Sequence, residues 1–128
     1  MLAGLVSALP LAARQARVKL ATLAPKGTSF HLILQEMGQA WREAPDGGVR
    51  LTIFTDGTMG GEGDVVRRIG LGQLQAGLLT TSGLTEIDLS VGGLQNIPMA
   101  YHSYEEVEYV RDRLGSKYEK IFADKGYI

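Results

Sequence analysis

The chain has 128 residues, of which 45% are hydrophobic and 21% charged, and its 13 basic and 14 acidic residues leave a net charge of −1. This composition excludes intrinsic disorder and collagen-like structure, and the balanced charge argues against nucleic acid as a partner. Because there is no cysteine, disulfide frameworks, cysteine zinc sites and thiol catalysis are excluded. The length is that of one domain with its own core.

The chain begins with an apolar, uncharged stretch over residues 1–13. This stretch is too short to span a bilayer, which takes about 20 apolar residues. It resembles the hydrophobic part of a secretory signal peptide and small residues follow it, although no basic region precedes it. We therefore predict an incomplete signal peptide over residues 1–16 and a periplasmic, exported protein. The alternatives are a frayed or core-packed N-terminus and a start site placed too far downstream.

Two βα units follow in chain order. Alternating apolar residues predict a strand over 18–23, which Pro25 and Gly27 end. Thr28 or Ser29 then caps a helix whose apolar residues share one face, namely Phe30, Ile33, Met37, Ala40, Trp41 and Ala44. A second strand over 49–53 leads through a glycine-rich loop, 56–63, to a second helix that carries Val65, Val66 and Ile69.

A short apolar run over 76–79 completes the order strand, helix, strand, helix, strand. This alternation favours a βαβαβ unit of the α/β class with a parallel sheet. Ligands of such sheets bind beyond the carboxyl ends of the strands. Those ends correspond here to residues 23–29, 55–62 and 80–84, which are also the segments richest in glycine, threonine and serine. The topology therefore predicts a ligand site at this edge.

The last third of the chain is less periodic. Residues 96–101 are predicted to be extended, and Ser103 with Glu106 forms a capping box for a helix with Val107, Val110 and Leu114 on one face. Glu108 is expected to pair with Arg111. Gly115 is expected to interrupt this helix, with a further short helix over 117–125 and the start of a strand at 126–128.

No catalytic residue, metal site or cofactor is predicted. The glycine-rich loop fails the dinucleotide pattern because Val66 stands at the third glycine position, and no phosphate-loop motif is present. His31 and His102 lie far apart, the first as a polar residue near a helix start and the second in a loop. No serine elbow occurs. Asp64 is better explained as a helix cap than as a catalytic carboxylate.

The segment VKLATLAPKGTSF, residues 18–30, resembles the first strand and loop of the extracytoplasmic solute-binding proteins of TRAP transporters, the DctP-like family. The likeness continues in order to Ile128, through residues 48–54, 57–62, 64–72, 72–81 and 94–101. In the fourth of these segments, Gln75 stands where an aspartate is commoner. Each piece is short, but the order and spacing together are specific.

The resemblance implies the first lobe, residues 17–128, of a type II periplasmic-binding-protein-like fold, with the second lobe absent. The arginine that clamps a carboxylate in this family belongs to the second lobe, which would lie past Ile128. A small organic acid, C4-dicarboxylate-like or related, would bind between the lobes and pass to the TRAP permease membrane subunits. The implied first-lobe contacts are Leu23, Ala24, Pro25, Glu62, Leu79, Thr80 and Thr81.

Two other functions stay open on the residues alone. One is an α/β enzyme acting on a small acid, which the missing nucleophile, base and metal motifs disfavour. The other is an interaction module derived from such a lobe that no longer binds solute.

Overall fold

The predicted βαβαβ order is present in the fold. A computed structural model describes residues 15–45, 48–93 and 95–128, so the signal-peptide prediction for the residues before 15 lies outside the described part. The elements are β1 Ala16–Thr22, α1 Ser29–Arg42, β2 Val49–Phe54, α2 Glu62–Gly70, β3 Ala76–Leu78, α3 Thr81–Thr85, a 3₁₀ turn Leu89–Gly92 and α4 Tyr104–Asp124.

The sheet is parallel and three-stranded, in the order β2-β1-β3. Its register runs from the Ala16–Val49 pair to the Ala21–Phe54 pair between β1 and β2, and Leu20 faces Ala76 between β1 and β3. The end of the central strand, Leu20 to Thr22, is at most 5% exposed. Neighbouring strands and helices cover this segment, as expected for the middle of an α/β sheet.

Gln75 lengthens the pairing between β1 and β3 with its side chain. Its backbone N–H donates to the Lys19 carbonyl at 3.0 Å, and its Oε1 accepts from the Lys19 N–H at 3.0 Å. The side-chain amide also donates to the carbonyl of Gly72 at 3.1 Å. The amide side chain of Gln75 therefore both donates and accepts at the position where the resemblance to the DctP-like family leads one to expect an aspartate.

The core is small and lies between the sheet and α2. Ala21, Val65 and Leu74 are each at most 2% exposed, and Phe54, Met59, Ile69 and Leu79 pack around them. Burial of one valine side chain such as Val65 contributes roughly 1.5–3 kcal/mol. Gly77 permits α2 to pack closely on β3, because a Cβ at that position would lie 3.0 Å from Cγ1 of Val65.

The predicted inward face of α1 is wrong. Phe30 and Ile33 are each 60% exposed, whereas His31, Leu34 and Gly38 are buried. The helix packs on β2 through Gly38, where an added Cβ would lie 3.2 Å from Leu51. Glycine and histidine add little to an apolar pattern, so the apolar stripe pointed to the neighbouring face.

Several predicted boundaries shift. Helix α2 begins at Glu62 with Gly61 as N-cap, so the loop before it ends earlier than predicted. Residues 81–85 form the short helix α3, which the apolar run over 76–79 and the polar residues after it do not predict. Residues 96–101 form turns, with Met99 at a φ of 57°, and the predicted extended segment is therefore wrong.

The last helix, α4, is one continuous element of 21 residues, so the predicted break at Gly115 is wrong. Half of the predicted capping box is present, because Ser103 Oγ accepts from the Glu106 N–H at 3.3 Å, whereas the Glu106 carboxylate accepts from the His102 N–H at 2.7 Å. Arg111 pairs with the adjacent Asp112 at 3.1 Å rather than with Glu108.

Residues 126–128 do not form the predicted strand. Among the described helices, none has both the length and the apolar composition needed to cross a membrane.

Candidate functional site

Three segments meet at the carboxyl edge of the sheet: a first loop, residues 23–28, a second loop, residues 55–61, and the third-strand end, residues 79–80. The first two loops are joined directly. The N–H of Asp56 donates to the carbonyl of Ala24, and that of Gly57 to the carbonyl of Thr22, both at 3.2 Å. The edge predicted from topology is therefore a connected surface in the structure.

Side-chain acceptors hold the first loop. Thr22 Oγ1 accepts from the Ala24 N–H at 3.1 Å, and His31 Nδ1 accepts from the Gly27 N–H at 3.0 Å. Asp56 Oδ1 accepts from the Lys26 N–H at 3.1 Å. These three bonds pair backbone amides that have no partner in a helix or strand. The first loop, which contains the predicted contacts Leu23, Ala24 and Pro25, is thus held by three side-chain hydrogen bonds.

Asp56 is the acidic group of the second loop. Its φ of 58° is left-handed, a region that aspartate tolerates better than most residues. The hydroxyl of Thr55 donates to Oδ2 at 2.6 Å, and this bond, followed by the one from the Lys26 N–H, lowers the pKa of the Asp56 carboxyl. The carboxylate is therefore anionic, with lone pairs left to accept from a ligand hydroxyl.

A depression of about 600 Å³ opens at the junction of the two loops, lined by Leu23, Pro25, Asp56, Gly57, Gly60 and Gly61. It brings together two of the predicted contacts, Leu23 and Pro25. The predicted contacts do not include Asp56 or the loop glycines, although these residues lie in the segment 55–62 at the predicted edge. Left-handed glycines let the backbone line the depression closely, since Gly57 and Gly60 have φ values of 65° and 97°.

Two further predicted contacts, Glu62 and Thr80, bind each other. Oε1 of Glu62 accepts from the Thr80 N–H and Oε2 from the Thr80 hydroxyl, both at 2.6 Å. Gly83 allows this approach, because a Cβ there would lie 2.9 Å from Cβ of Glu62. The Thr80 proton is thus used internally, whereas the oxygens of both groups keep free lone pairs.

The three remaining predicted contacts lie neither in the depression nor in the pair formed by Glu62 and Thr80. Leu79 packs against the core, and Ala24 contributes its carbonyl to the second loop. Thr81 lines a groove of about 660 Å³ between α3 and α4, with Leu84, Val91, Ile97, Val107, Val110 and Leu114 among its walls. The face of α4 predicted to be apolar faces this groove.

The described residues contain no group of three or more histidine or acidic side chains that could hold a metal ion.

Solved structures share this fold. A TRAP periplasmic solute-binding protein from Ochrobactrum anthropi, with its C-terminus bound in the ligand-binding pocket, matches 88% of the chain at 19% identity with a TM-score of 0.75. One from Sulfitobacter sp. NAS-14.1 with bound β-D-galacturonate matches 85% at 14% identity, with a TM-score of 0.75. One from Chromohalobacter salexigens DSM 3043 with bound D-glucuronate matches 84% at 16% identity, with a TM-score of 0.73.

The chain spans only 35–36% of the length of these three proteins. A search of curated protein sequences finds no match. At these identities, the solved structures establish the fold of an α/β solute-binding-protein lobe.

The assignment of the chain to a family depends on separate evidence. The model of the DctP family, bacterial extracellular solute-binding protein family 7, matches residues 20–128. This range includes every predicted ligand contact, and the family comprises solute-binding proteins rather than enzymes, which removes the support for the enzyme alternative. The chain therefore belongs to the DctP family of bacterial extracellular solute-binding proteins.

Proposed function

We propose that this chain provides the first lobe of the solute-binding component of a TRAP-type uptake system. The lobe holds a small organic acid at its carboxyl edge, and the binding protein delivers that acid to the membrane permease. The observation that carries the proposal is the depression at the junction of the first two loops, where Leu23 and Pro25 meet Asp56. The binding component works outside the cytoplasm, in line with the family description.

The chemistry of the edge favours a hydroxylated acid over a simple C4-dicarboxylate. Asp56 and Glu62 present carboxylate oxygens, which accept from hydroxyl groups and repel a second carboxylate. A sugar acid offers several hydroxyls to this lobe and directs its single carboxylate elsewhere. Two of the similar solved structures hold uronates. We therefore place uronates first among the candidate solutes.

Titration calorimetry and thermal unfolding of the chain with D-galacturonate, D-glucuronate and succinate test this proposal. We expect a uronate to bind and raise the Tm, because a ligand at about 100 times its Kd stabilises the folded state by about 2.7 kcal/mol. Asp56→Asn should weaken uronate binding, since it removes the anionic acceptor. Asp112→Asn is the matched control, because Asp112 lies on α4 and pairs with Arg111.

Binding of succinate in preference to the uronates would overturn the assignment of the solute. If none of the three acids binds, the proposal that this lobe captures an organic acid fails. Turnover of an acid without stoichiometric binding would return support to the enzyme alternative.

A further inference from the structure

The described core has two buried polar side chains, Thr22 at 3% and His31 at 8% exposed. Both accept a hydrogen bond from the same loop, Thr22 from the Ala24 N–H and His31 from the Gly27 N–H. Because buried polar groups need partners, these two side chains and the first loop depend on each other. The loop that carries Leu23 and Pro25 is therefore attached to the core at both ends.

The two attachments differ in one chemical respect. The hydroxyl of Thr22 does not titrate, whereas His31 accepts through Nδ1 and so must be the neutral tautomer with its proton on Nε2. Protonation of Nδ1 would convert the acceptor into a donor and place two N–H groups against each other. The bond at Gly27 is thus the one attachment of this loop, among those described, that an imidazole proton breaks.

The Gly27 amide that bonds to His31 belongs to a tight turn of the first loop. Residues 25–28 form a turn in which the N–H and the hydroxyl of Thr28 both donate to the Pro25 carbonyl, at 3.3 and 2.7 Å. Gly27 has a φ of 86°, as the third position of a type II turn requires. The amide that His31 holds lies between the two central residues, so this bond orients the turn.

We propose that His31 is a positioning residue that makes the first loop sensitive to pH: the neutral imidazole holds the Gly27 amide, and protonation releases the loop. The charged group that interacts electrostatically with His31 is Asp56 on the second loop, which also interacts with Lys26 on the first. Leu51 of β2, against which α1 packs, is uncharged. Where the proposed function holds, solute affinity falls on acidification.

Amide hydrogen exchange of the whole chain, followed by NMR between about pH 8 and about pH 5, tests the proposal. We expect the protection factor of the Gly27 amide to fall roughly tenfold or more on acidification, the effect of losing one hydrogen bond. Ala24 should keep its protection, because its acceptor is a hydroxyl. Lys26 should also keep it, because its acceptor is Asp56, whose pKa is lowered.

Three variants separate positioning from general destabilisation. His31→Asn retains an acceptor oxygen close to the Nδ1 position and does not titrate, so Gly27 should stay protected over the whole range. His31→Leu removes the acceptor, and Gly27 should be unprotected throughout. His102→Asn is the matched control, because this histidine lies on the exposed surface beside Glu106 and should leave the response of wild type unchanged.

The proposal is overturned if Gly27 in the wild type keeps its protection at about pH 5. It is also overturned if His31→Asn responds to acid as the wild type does, or if Ala24 loses protection together with Gly27. Affinity for D-galacturonate, measured over the same range, tests the consequence for binding. Absence of uronate binding at every pH, with the Gly27 response intact, would refute the proposed function and leave the role of His31 standing.

Discussion

Gly60 is the position in the second loop where a single methyl group should disturb the site most. Its φ is 97°, and an added Cβ would lie 2.6 Å from Oδ2 and 2.7 Å from Cβ of Asp64. A new rotamer of Asp64 cannot relieve the second contact, because that Cβ is attached to the helix backbone. Gly60→Ala must therefore displace the first turn of α2 or the loop itself.

The magnitude has two parts. Holding an alanine in the left-handed region costs about 1–2 kcal/mol. Displacing Asp64 weakens its bond from the Gly61 N–H, 3.3 Å long, and a helix cap contributes about 1 kcal/mol. The free energy of unfolding should therefore fall by about 2–3 kcal/mol. For a domain of this size, the corresponding decrease in Tm is about 10 °C.

Chemical denaturation monitored by circular dichroism measures the loss, with Gly72→Ala as the matched control. Gly72 has a φ of 72°, but an added Cβ there meets no atom within 4 Å, so only the backbone strain applies. Gly60→Ala should cost about 1 kcal/mol more than Gly72→Ala. Equal losses in the two variants would show that the contact with Asp64 does not constrain the loop, and the reasoning would fail.

Three further outcomes follow from the same structure. Gly83→Ala should lower the Tm, because its Cβ would collide with Glu62, and the loss should shrink if Glu62→Ala is present in the same chain. Gly115→Ala should stabilise α4 by up to about 1 kcal/mol, seen as higher helicity and Tm, since the added methyl group meets nothing within 4 Å. Interaction with the Ser90 hydroxyl and the Lys125 ammonium lowers the pKa of Asp88 to about 2. The contact of Asp88 with Lys125 at the end of α4 should therefore persist above the ordinary carboxyl pKa of 3.8 and be lost as the pH falls through about 2. Amide exchange in the last turn of α4 should show that loss, and Asp88→Asn should show it already at neutral pH.

The comparison of α1 with α2 shows what a periodic pattern captures. In α2, the buried positions Val65 and Val66 are apolar, so the pattern and the packed face coincide. In α1, the packed face consists of His31, Leu34 and Gly38, and an apolar pattern cannot select a histidine or a glycine. What selects that face is the short distance between Gly38 and Leu51 and the bond from Gly27 to His31, both of which are tertiary contacts.

The candidate site likewise has features that the sequence predicts and features that only tertiary contacts create. The element order predicts its position at the carboxyl ends of the strands, and Leu23 and Pro25 line one depression there. The partnership between Glu62 and Thr80 joins residues 18 apart in the chain, and the role of Asp56 depends on a left-handed backbone and a contact with the other loop. Neither leaves a periodic signal, because each arises from loop geometry.

The amino-acid sequence by itself determined the α/β class and the order of the first five elements, and it predicts the edge at which we propose that a ligand binds. These properties depend on local hydrophobic alternation, turn residues and the handedness of parallel connections. Only the tertiary structure decided which face of α1 is buried, that α4 continues through Gly115, and which side chains hold the first loop. Close backbone approach and hydrogen bonds between distant residues govern those features, and both exist only once the chain has folded.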